Sequence, residues 1–572
     1  MLNKLWQIAE PINEETKGLY LELDPILLQL LWNRGLTEQS QIDEFLNPDW
    51  SKDVHDPYLF KDMKRVVERI YESISRGEVI GIFGDYDADG VCAAALLTTT
   101  LQKLGAKTET YLPHREREGY GLNDEAIKYL HTKNVKLLIT CDCGIASHEP
   151  VKTANSLGLA VIITDHHQAQ ATLPEAYAIL HCGLASETYP FKFLSGGGVA
   201  FKLVQGLMHY DGCHLSEFEK EQWIKWSLDL VAISTVADMV KLKGENRTLT
   251  KYGLIVLQKT KRLGLKTLYE IAGIKPEVID IFSIGFQIAP RINAAGRLDH
   301  ANAAFALLMA SNTSEARELA NSLNLTNNER QHLTEEMFQQ AKEQIGVLKP
   351  DQYLVAAFDP SWSLGMVGLV AGKLVQEYNR PAITIGQAGD KIAGSGRSGV
   401  GDFNLAEALE QCNEYLLAYG GHKEAAGFTI KPGELDNFLR AIAKIAKTKL
   451  KNIDLTPSIK VDAIVPWSQV DWNLYEQAEK LEPTGMTNPS AKFLSKNLTV
   501  RELRPVGSTG QHLKLVLEAG GLSRKFILFK QGDTAQKLSL WDQVEVVYEV
   551  GVNSWQGNRE LELKVIDLKK IA

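Results

Sequence analysis

Cysteine is scarce in this sequence: Cys92, Cys141, Cys143, Cys182, Cys213 and Cys412 are the only six in 572 residues. None has paired CxxC spacing, which excludes a disulfide framework or a structural zinc site and leaves reduced, mostly buried thiols. Long apolar runs are also missing. The longest, such as Leu157 to Thr164, fall far short of the ~20 residues a membrane helix needs, so no membrane association is expected. Lys4 is the only early basic residue, and the polar stretch Gln7 to Lys17 follows without an apolar core. A signal peptide is therefore not expected, and the chain reads as cytoplasmic. An excess of positive charge is absent too. The net charge of −9 and pI near 5.9 argue against a protein that simply coats nucleic acid, yet they suit an acidic metal site with a locally basic lining.

What is present is an ordinary globular composition, 44% hydrophobic and 23% charged, in a chain long enough for three or four domains of ~100–200 residues. From Gly77 to Thr164, short β-branched runs alternate with helical stretches. That rhythm predicts βαβ units and a parallel sheet, whose chemistry sits at the carboxyl ends of the strands. The polar but helix-periodic stretch from Ser311 to Val347 predicts connecting helices between two lobes. A second α/β rhythm runs from Tyr353 to Leu450 and holds glycine-rich loops at 394–401 and 420–427. From Ile459 onward, alternating patterns and turn signals predict a small β-barrel. The expected division is 1–50 as an N-terminal segment, 51–270 and 348–452 as α/β domains, 271–347 as a helical connector and 453–572 as the barrel.

The sharpest local feature is Gly84-Asp85-Tyr86-Asp87-Ala88-Asp89-Gly90, between the apolar run Val79–Phe83 and the helix-forming run Val91–Leu104. Like charges this close raise one another's pKa unless a cation neutralises them, and oxygen ligands suit Mg²⁺ or Mn²⁺. A helix cap alone would need only one carboxylate. The run 137–140 leads into Asp142, and 161–164 leads into Asp165-His166-His167. Parallel neighbours would bring these ends beside Asp87 and Asp89. Asp238 ends the apolar run 230–237. One imidazole among carboxylates tilts the choice of ion towards Mn²⁺. Two such ions about 3.5–4 Å apart would activate water and stabilise both oxygens in a displacement at phosphorus, so phosphoester or phosphoanhydride hydrolysis is the implied reaction.

Other stretches suit phosphate and base contacts. The segment 113–122 sets Arg115 beside a Gly-Tyr-Gly turn in which Tyr120 can stack a base. Arg291, Asn293 and Arg297 in 290–297 are candidate substrate contacts, although tight helix packing explains the small residues of that segment equally well. Ser395 and Arg397 lie in Gly394-Ser395-Gly396-Arg397, which reads as an anion cradle of backbone N–H groups, a hydroxyl and a guanidinium. His422 sits between paired glycines and a small-residue helix start. In the barrel segment Arg501, Arg504, Lys514, Arg524, Lys525 and Lys530 interleave with Phe526 and Phe529, a pattern that fits either single-strand binding or, for the aromatics, core packing.

The ordered series GDYDADG at 84–90, GYGL at 119–122, Cys141-Asp142-Cys143-Gly144, DHH at 165–167, GGGVAFKL at 196–203, VADMV at 236–240, GENR at 244–247, PRINAAGR at 290–297, GSGRS at 394–398 and GGHKEAAG at 420–427 resembles the single-strand-specific 5′→3′ exonuclease branch of the DHH phosphoesterase superfamily. The resemblance implies two α/β lobes, a DHH domain with a parallel sheet and a DHH-associated domain, joined by a long helix around a narrow channel, plus a C-terminal OB-fold β-barrel closing one side. It implies two ions, Mn²⁺ or Mg²⁺, held by Asp87, Asp89, Asp142, His166 and Asp238, with Asp85, Asp165 and His167 supporting the ligands or the scissile phosphate. Arg115, Ser395 and Arg397 would recognise the terminal phosphate and His422 the reacting one. The expected partners are single-stranded DNA, a RecQ-type helicase and single-strand-binding protein, and the expected state is a monomer releasing 5′-mononucleotides in DNA repair and recombination. Two departures stand out. Family members often carry Trp-His where this chain has Trp362-Ser363, and their Pro-Phe-Gly-x-Gly-Asn-Pro reads Pro483 to Asn488-Pro489 with threonine at 484 and 487. The chain also ends soon after the barrel, so further C-terminal modules are not expected. Two other readings compete: a DHH phosphodiesterase for short oligonucleotides, cyclic dinucleotides or pyrophosphate, and a non-catalytic DNA-binding scaffold. The first would usually lack the barrel, and the second would have lost ligands.

Overall fold

The computed structural model describes residues 4–115, 117–298, 301–507, 509–555 and 558–571. It divides into two compact units. One comprises His55–Val240 and Tyr252–Leu455; the other comprises Met1–Val54, Lys241–Lys251 and Thr456–Ala572.

In the first unit the apolar runs form a five-stranded, all-parallel sheet in the order Lys107–Tyr111, Val79–Gly84, Val135–Cys141, Ala160–Thr164, Ala178–Leu180. Near-continuous β-branched and leucine runs are what strands covered on both faces require, and Ile80, Ile82, Leu137, Ile139, Val161 and Ile163 are all fully buried. The ladder continues one residue past three strand ends. The Asp85 N–H donates to Cys141 O, Asp142 to Thr164 O and Asp165 to Leu180 O, at 3.2, 2.9 and 3.1 Å. Three motif aspartates are thereby locked in one row along the carboxyl edge.

Helix Thr313–Ile345 spans 33 residues, roughly 50 Å at ~1.5 Å per residue. The sequence suggested connecting helices; here one continuous helix fills the stretch. Its Met337 and Ala341 pack into an apolar cluster with Val355, Trp362 and Val370 of the second α/β layer. That layer is a mixed sheet ordered Leu416–Gly421, Ala425–Ile430, Lys391–Arg397, Ala382–Ala388, Val355–Phe358.

Much of the glycine-rich sequence expected to be loop is strand. Residues 394–397 pair with Ala382–Ala388 on one side and Ala425–Ile430 on the other. The backbone N–H cradle read from Gly394-Ser395-Gly396 is therefore corrected: this stretch is an inner strand with ladder partners on both sides. Glycine serves close packing here, since a Cβ at Gly394 would lie 2.6 Å from the Phe428 ring and 2.7 Å from Thr384 O. Likewise, 420–427 forms a hairpin whose turn carries His422.

The second unit holds a barrel. Strands Phe493–Val506, His512–Ala519, Leu522–Leu528, Asn558–Lys570 and Gln543–Trp555 follow in order, and pairing of the first with the last closes it. The N-terminal segment packs on this barrel. Leu5–Ile8 pairs in parallel with Ser458–Val461, and Leu27, Leu31, Ile42 and Phe45 share one core with Phe493, Leu515 and Tyr548. Arg247, 2% exposed, donates to the carbonyls of Phe45, Leu481, Pro483 and Glu482 at 2.9, 2.9, 3.0 and 2.7 Å. Among the described residues no helix is long and apolar enough to cross a membrane.

Candidate metal centre

Asp87 is the N-cap of helix Ala88–Lys103, and its Oδ1 accepts from Asp89 N–H at 2.9 Å and Gly90 N–H at 3.1 Å. The capping role weighed from sequence is thus real, and it uses one of two carboxylate oxygens. Asn293, expected as a substrate contact, turns its amide oxygen to Ala88 N–H at 2.7 Å and braces the same turn. It sits in helix Ala289–Leu298, where a Cβ at Gly296 would lie 2.7 Å from Tyr86 O, so close packing accounts for that glycine.

Asp89 is buried and held from three sides. Gly196 and Gly197, at the start of helix Gly196–Met208, each donate a backbone N–H to its oxygens at 2.7 Å, and the Ser234 hydroxyl donates to Oδ1. Bonds from a helix N-terminus and a hydroxyl fix the direction of this side chain. Sequence reasoning gave these three donors no role. Backbone groups leave no side-chain signature, and only the Gly196-Gly197-Gly198 run hinted at close approach.

Asp142 follows its strand with φ 62, a left-handed conformation that aspartate tolerates better than most side chains. Its Oδ1 lies 3.1 Å from His166 Nε2 and 3.8 Å from His167 Nδ1. His166 Nε2 is also 3.4 Å from Asp238 Oδ2 and 3.7 Å from Asp89 Oδ2. Asp238 arrives as the C-cap of helix Leu228–Ala237, the helix that carries Ser234.

Ligand-type atoms gather in three overlapping groups, Asp142 with His166 and His167, Asp89 with His166 and Asp238, and Asp85 with Asp87 and Asp142, each within 4.8 Å. Asp85 Oδ1, Asp142 Oδ1 and His166 Nε2 are buried with no hydrogen-bond partner. Orphaned polar atoms are costly in a folded interior. Here they point at one another, as ligands of a shared cation would, and carboxylate oxygens with one imidazole form a donor set suited to Mn²⁺ or Mg²⁺.

The electrostatics agree. Burial, and then the charges of Asp89, Asp87 and Asp238, push Asp142 well above the ordinary carboxylate range. Burial followed by Asp87 does the same to Asp85, and burial followed by Asp89 raises Asp238 to about 9. Burial lowers His166, which keeps its ring neutral with a lone pair to offer.

Asp165 differs. Its Oδ1 accepts from His166 N–H, His167 N–H and His167 Nδ1 at 2.7, 3.1 and 2.8 Å, and its Oδ2 accepts from Ile145 N–H at 3.0 Å. Burial works to raise this carboxyl, but the hydrogen bond and charge of His167 outweigh it and bring it to about 2. Burial works to lower His167, and Asp165 lifts it to about 9. The pair is an ion pair that holds the Asp-His-His turn. The Tyr120 hydroxyl lies 3.0 Å from His167 Nδ1, and its ring is half exposed.

Arginines cluster in the same unit. Arg115 sits over the Tyr86 ring, 5.2 Å from its centre. Arg297 donates to Gly365 O at 3.0 Å, and Arg397 donates to Ser395 Oγ at 2.7 Å. Burial, followed by the charges of Arg115 and Arg330, lowers Arg297 to about 9. Arg330 was not anticipated, because it lies within the polar connector helix. Arg291 is braced by Asn324 Oδ1 at 3.0 Å and Gln287 O at 2.6 Å. His422 is exposed in its hairpin turn and is not among the gathered ligand atoms.

A parallel sheet with acidic strand ends, a helix-linked second α/β layer and a closed barrel define a DHH-class protein. Comparison agrees: the model of the DHH family N-terminal domain matches residues 79–235, that of the DHHA1 domain 351–448 and that of the RecJ OB domain 461–567. The chain is 36% identical over 566 residues to the single-stranded-DNA-specific exonuclease RecJ of Bacillus subtilis, covering 98% of this chain and 70% of that one. It is 32% identical to the protein of that name from Escherichia coli, covering 97% of each. The crystal structure of RecJ in complex with Mn²⁺ from Thermus thermophilus superposes with a TM-score of 0.83 at 29% identity, over 99% of this chain and 80% of that one. A second structure of the Thermus protein, in complex with Mg²⁺, superposes with a TM-score of 0.78 at 28% identity over 99% of this chain and 79% of that one. The chain belongs to the RecJ family.

Proposed function

We propose that this protein is a metal-dependent exonuclease that degrades single-stranded DNA from its 5′ end to mononucleotides, in DNA repair and recombination. The observation that carries the reading is the convergence of three buried, unpartnered ligand atoms, on Asp85, Asp142 and His166, at adjacent strand ends. Family membership gives that convergence its substrate.

Asp87, Asp89, Asp142, His166 and Asp238 would hold two ions, with Asp85 alongside. Bound Mn²⁺ or Mg²⁺ supplies an activated water and neutralises charge on phosphorus oxygens. The chain's own residues do the rest. Gly196, Gly197 and Ser234 orient Asp89, and Asp165 fixes the ring of His167 and keeps it protonated, a positive group beside the developing phosphate charge. Burial, followed by the charge of Arg115, lowers both Arg297 and Arg397, and Arg330 adds to the effect on Arg297. A terminal phosphate beside Ser395 relieves that repulsion, which suits an end-binding subsite, with Tyr120 as a base contact and His422 and Arg291 as further substrate contacts.

All the proposed ligands come from one chain, so a monomer suffices. A RecQ-type helicase and single-strand-binding protein are partners that a single-strand substrate calls for, and the six free cysteines suit the cytoplasm. The test is hydrolysis of single-stranded oligonucleotides labelled at either end, with Mn²⁺, beside Asp142→Asn and a blunt duplex. Mononucleotides released from the 5′ end, lost in the variant and absent from the duplex, support the reading. Cleavage only of very short oligonucleotides supports the small-substrate branch, and binding without cleavage supports a scaffold.

A further inference from the structure

The barrel exposes a tryptophan in a conformation that tryptophan avoids. Trp541 has φ 75, and a bulky residue in the left-handed region is a true outlier that needs an explanation. The ring is nonetheless 68% exposed, so core packing does not supply one. The backbone is pinned by the adjoining strand: Trp541 N–H donates to Val500 O at 2.8 Å, and Val500 N–H donates to Asp542 O at 2.9 Å.

Two further devices act on the same ring. The strand Phe493–Val506 carries a bulge between Val500 and Glu502, and bulges re-aim the side chain they hold. The residue inside it is Arg501, whose guanidinium carbon lies 4.0 Å from the centre of the Trp541 ring. Glu518 grips the same guanidinium through two bonds, Nε to Oε2 at 3.1 Å and Nη2 to Oε1 at 2.7 Å. One face of the indole is thus backed by a clamped cation and the other is left to solvent.

Along the outer face of the same strand pair, Arg504 lies directly opposite Lys514, both exposed. Like charges opposite each other destabilise a sheet. Neither has a carboxylate partner among the described residues. Arg504 is three residues from Arg501, about 10 Å at ~3.3 Å per residue. An exposed aromatic face, with two uncompensated cations three residues farther along the strand from the arginine that backs it, complements a base followed by backbone phosphate.

We infer that Trp541, backed by Arg501 and Glu518, is a stacking platform for a base of single-stranded DNA, with Arg504 and Lys514 receiving the adjoining phosphate. This rests on the single-strand reading above and adds the subsite. Binding of a fluorescein-labelled oligothymidylate to the full chain, followed by anisotropy in chelator, tests it with Trp541→Ala, Trp541→Asn, Trp541→Phe and the pair Arg504→Ala/Lys514→Ala.

Removing one stacked base costs on the order of 5- to 150-fold in affinity. Trp541→Ala and Trp541→Asn should show that loss and Trp541→Phe should keep most of the affinity. The salt slope should be unchanged in all three, while the double-alanine variant lowers it by roughly 0.7 per phosphate contact. Trp541→Asn should melt no lower than wild type, since asparagine accepts the left-handed backbone. Unchanged affinity in Trp541→Ala overturns the inference, as does a loss matched by a lower melting temperature in Trp541→Asn. Hydrolysis by the wild-type preparation is scored in parallel: its absence would undo the nuclease reading while leaving the binding result to stand or fall separately.

Discussion

A single added methyl at Gly197 should disarm the metal centre without replacing a ligand. A Cβ there would lie 2.3 Å from Ser234 Oγ, 2.7 Å from Ser234 Cβ and 3.4 Å from Asp89 Oδ1. Ordinary contacts are about 3.5–4.0 Å, so the Ser234 side chain must retreat by about 1 Å and release its hydrogen bond to Asp89. Overpacking of this kind costs about 1–3 kcal/mol, and a lost bond to a charged group about 1.5–3 kcal/mol. Loosening a partner that orients a metal ligand typically costs about 10–100-fold in metal affinity or activity.

Ser234→Ala loses the same bond but leaves the space open, so Gly197→Ala and Ser234→Ala should each weaken Mn²⁺ binding by that factor. The double variant should be clearly less damaged than the sum of the two. A coupling on the order of 1 kcal/mol is expected from a cycle built on chelator melting temperatures and Mn²⁺ titrations. Additive losses, or a Gly197→Ala variant that binds Mn²⁺ like wild type, would refute the claim that these donors hold Asp89.

Three further outcomes are expected. The metal-free chain should lose thermal stability as pH rises from about 6.5 to 9: Asp85, Asp142 and Asp238 have folded pKa values above their ordinary range and resist losing their protons, and His167, raised to about 9, gives up its share as it deprotonates. The melting shift on adding Mn²⁺ should therefore grow with pH, and calorimetry showing a pH-independent shift would contradict this. At the acid end, Asp165, lowered to about 2, stabilises the fold above its ordinary value of about 3.9, and that contribution should vanish as pH falls towards 2. Arg247→Ala should destabilise the barrel unit by about 2–5 kcal/mol, since it opens a cavity and removes the donor that Phe45 O and Glu482 O share, while Leu481 O and Pro483 O keep the Asn488 amide at 2.8 and 2.9 Å; urea melts followed by tryptophan fluorescence should show it.

The carboxyl-edge site was legible in the sequence because fully buried parallel strands read as short apolar runs and each ran directly into an acidic residue. The runs alone placed Asp142 and Asp165-His166-His167 beside Asp87 and Asp89, and the ladder bonds of Asp85, Asp142 and Asp165 line up that edge. The supporting cast was not legible. Asp89 is oriented by two peptide N–H groups, and backbone donors depend on fold rather than residue type. Gly394-Ser395-Gly396 looked like a loop because glycine lowers strand propensity, yet close packing against Phe428 demanded it inside a sheet. The N-terminal segment gave no sign that Leu5–Ile8 would pair with Ser458–Val461, a contact with no local sequence pattern to announce it. Trp541 passed unnoticed because its strained backbone and stacked arginine appear only in three dimensions.

The most direct test of the two-ion centre is a calorimetric Mn²⁺ titration of the full chain beside Asp142→Asn. Asp142 gathers with Asp85 and Asp87 on one side, and its Oδ1 lies 3.1 Å from His166 Nε2, which gathers with Asp89 and Asp238 on the other, so two ions per wild-type chain and a single substitution that weakens both sites are expected; a wild-type chain that binds one ion, or an Asp142→Asn chain that still binds two with unchanged affinity, would contradict the two-ion centre.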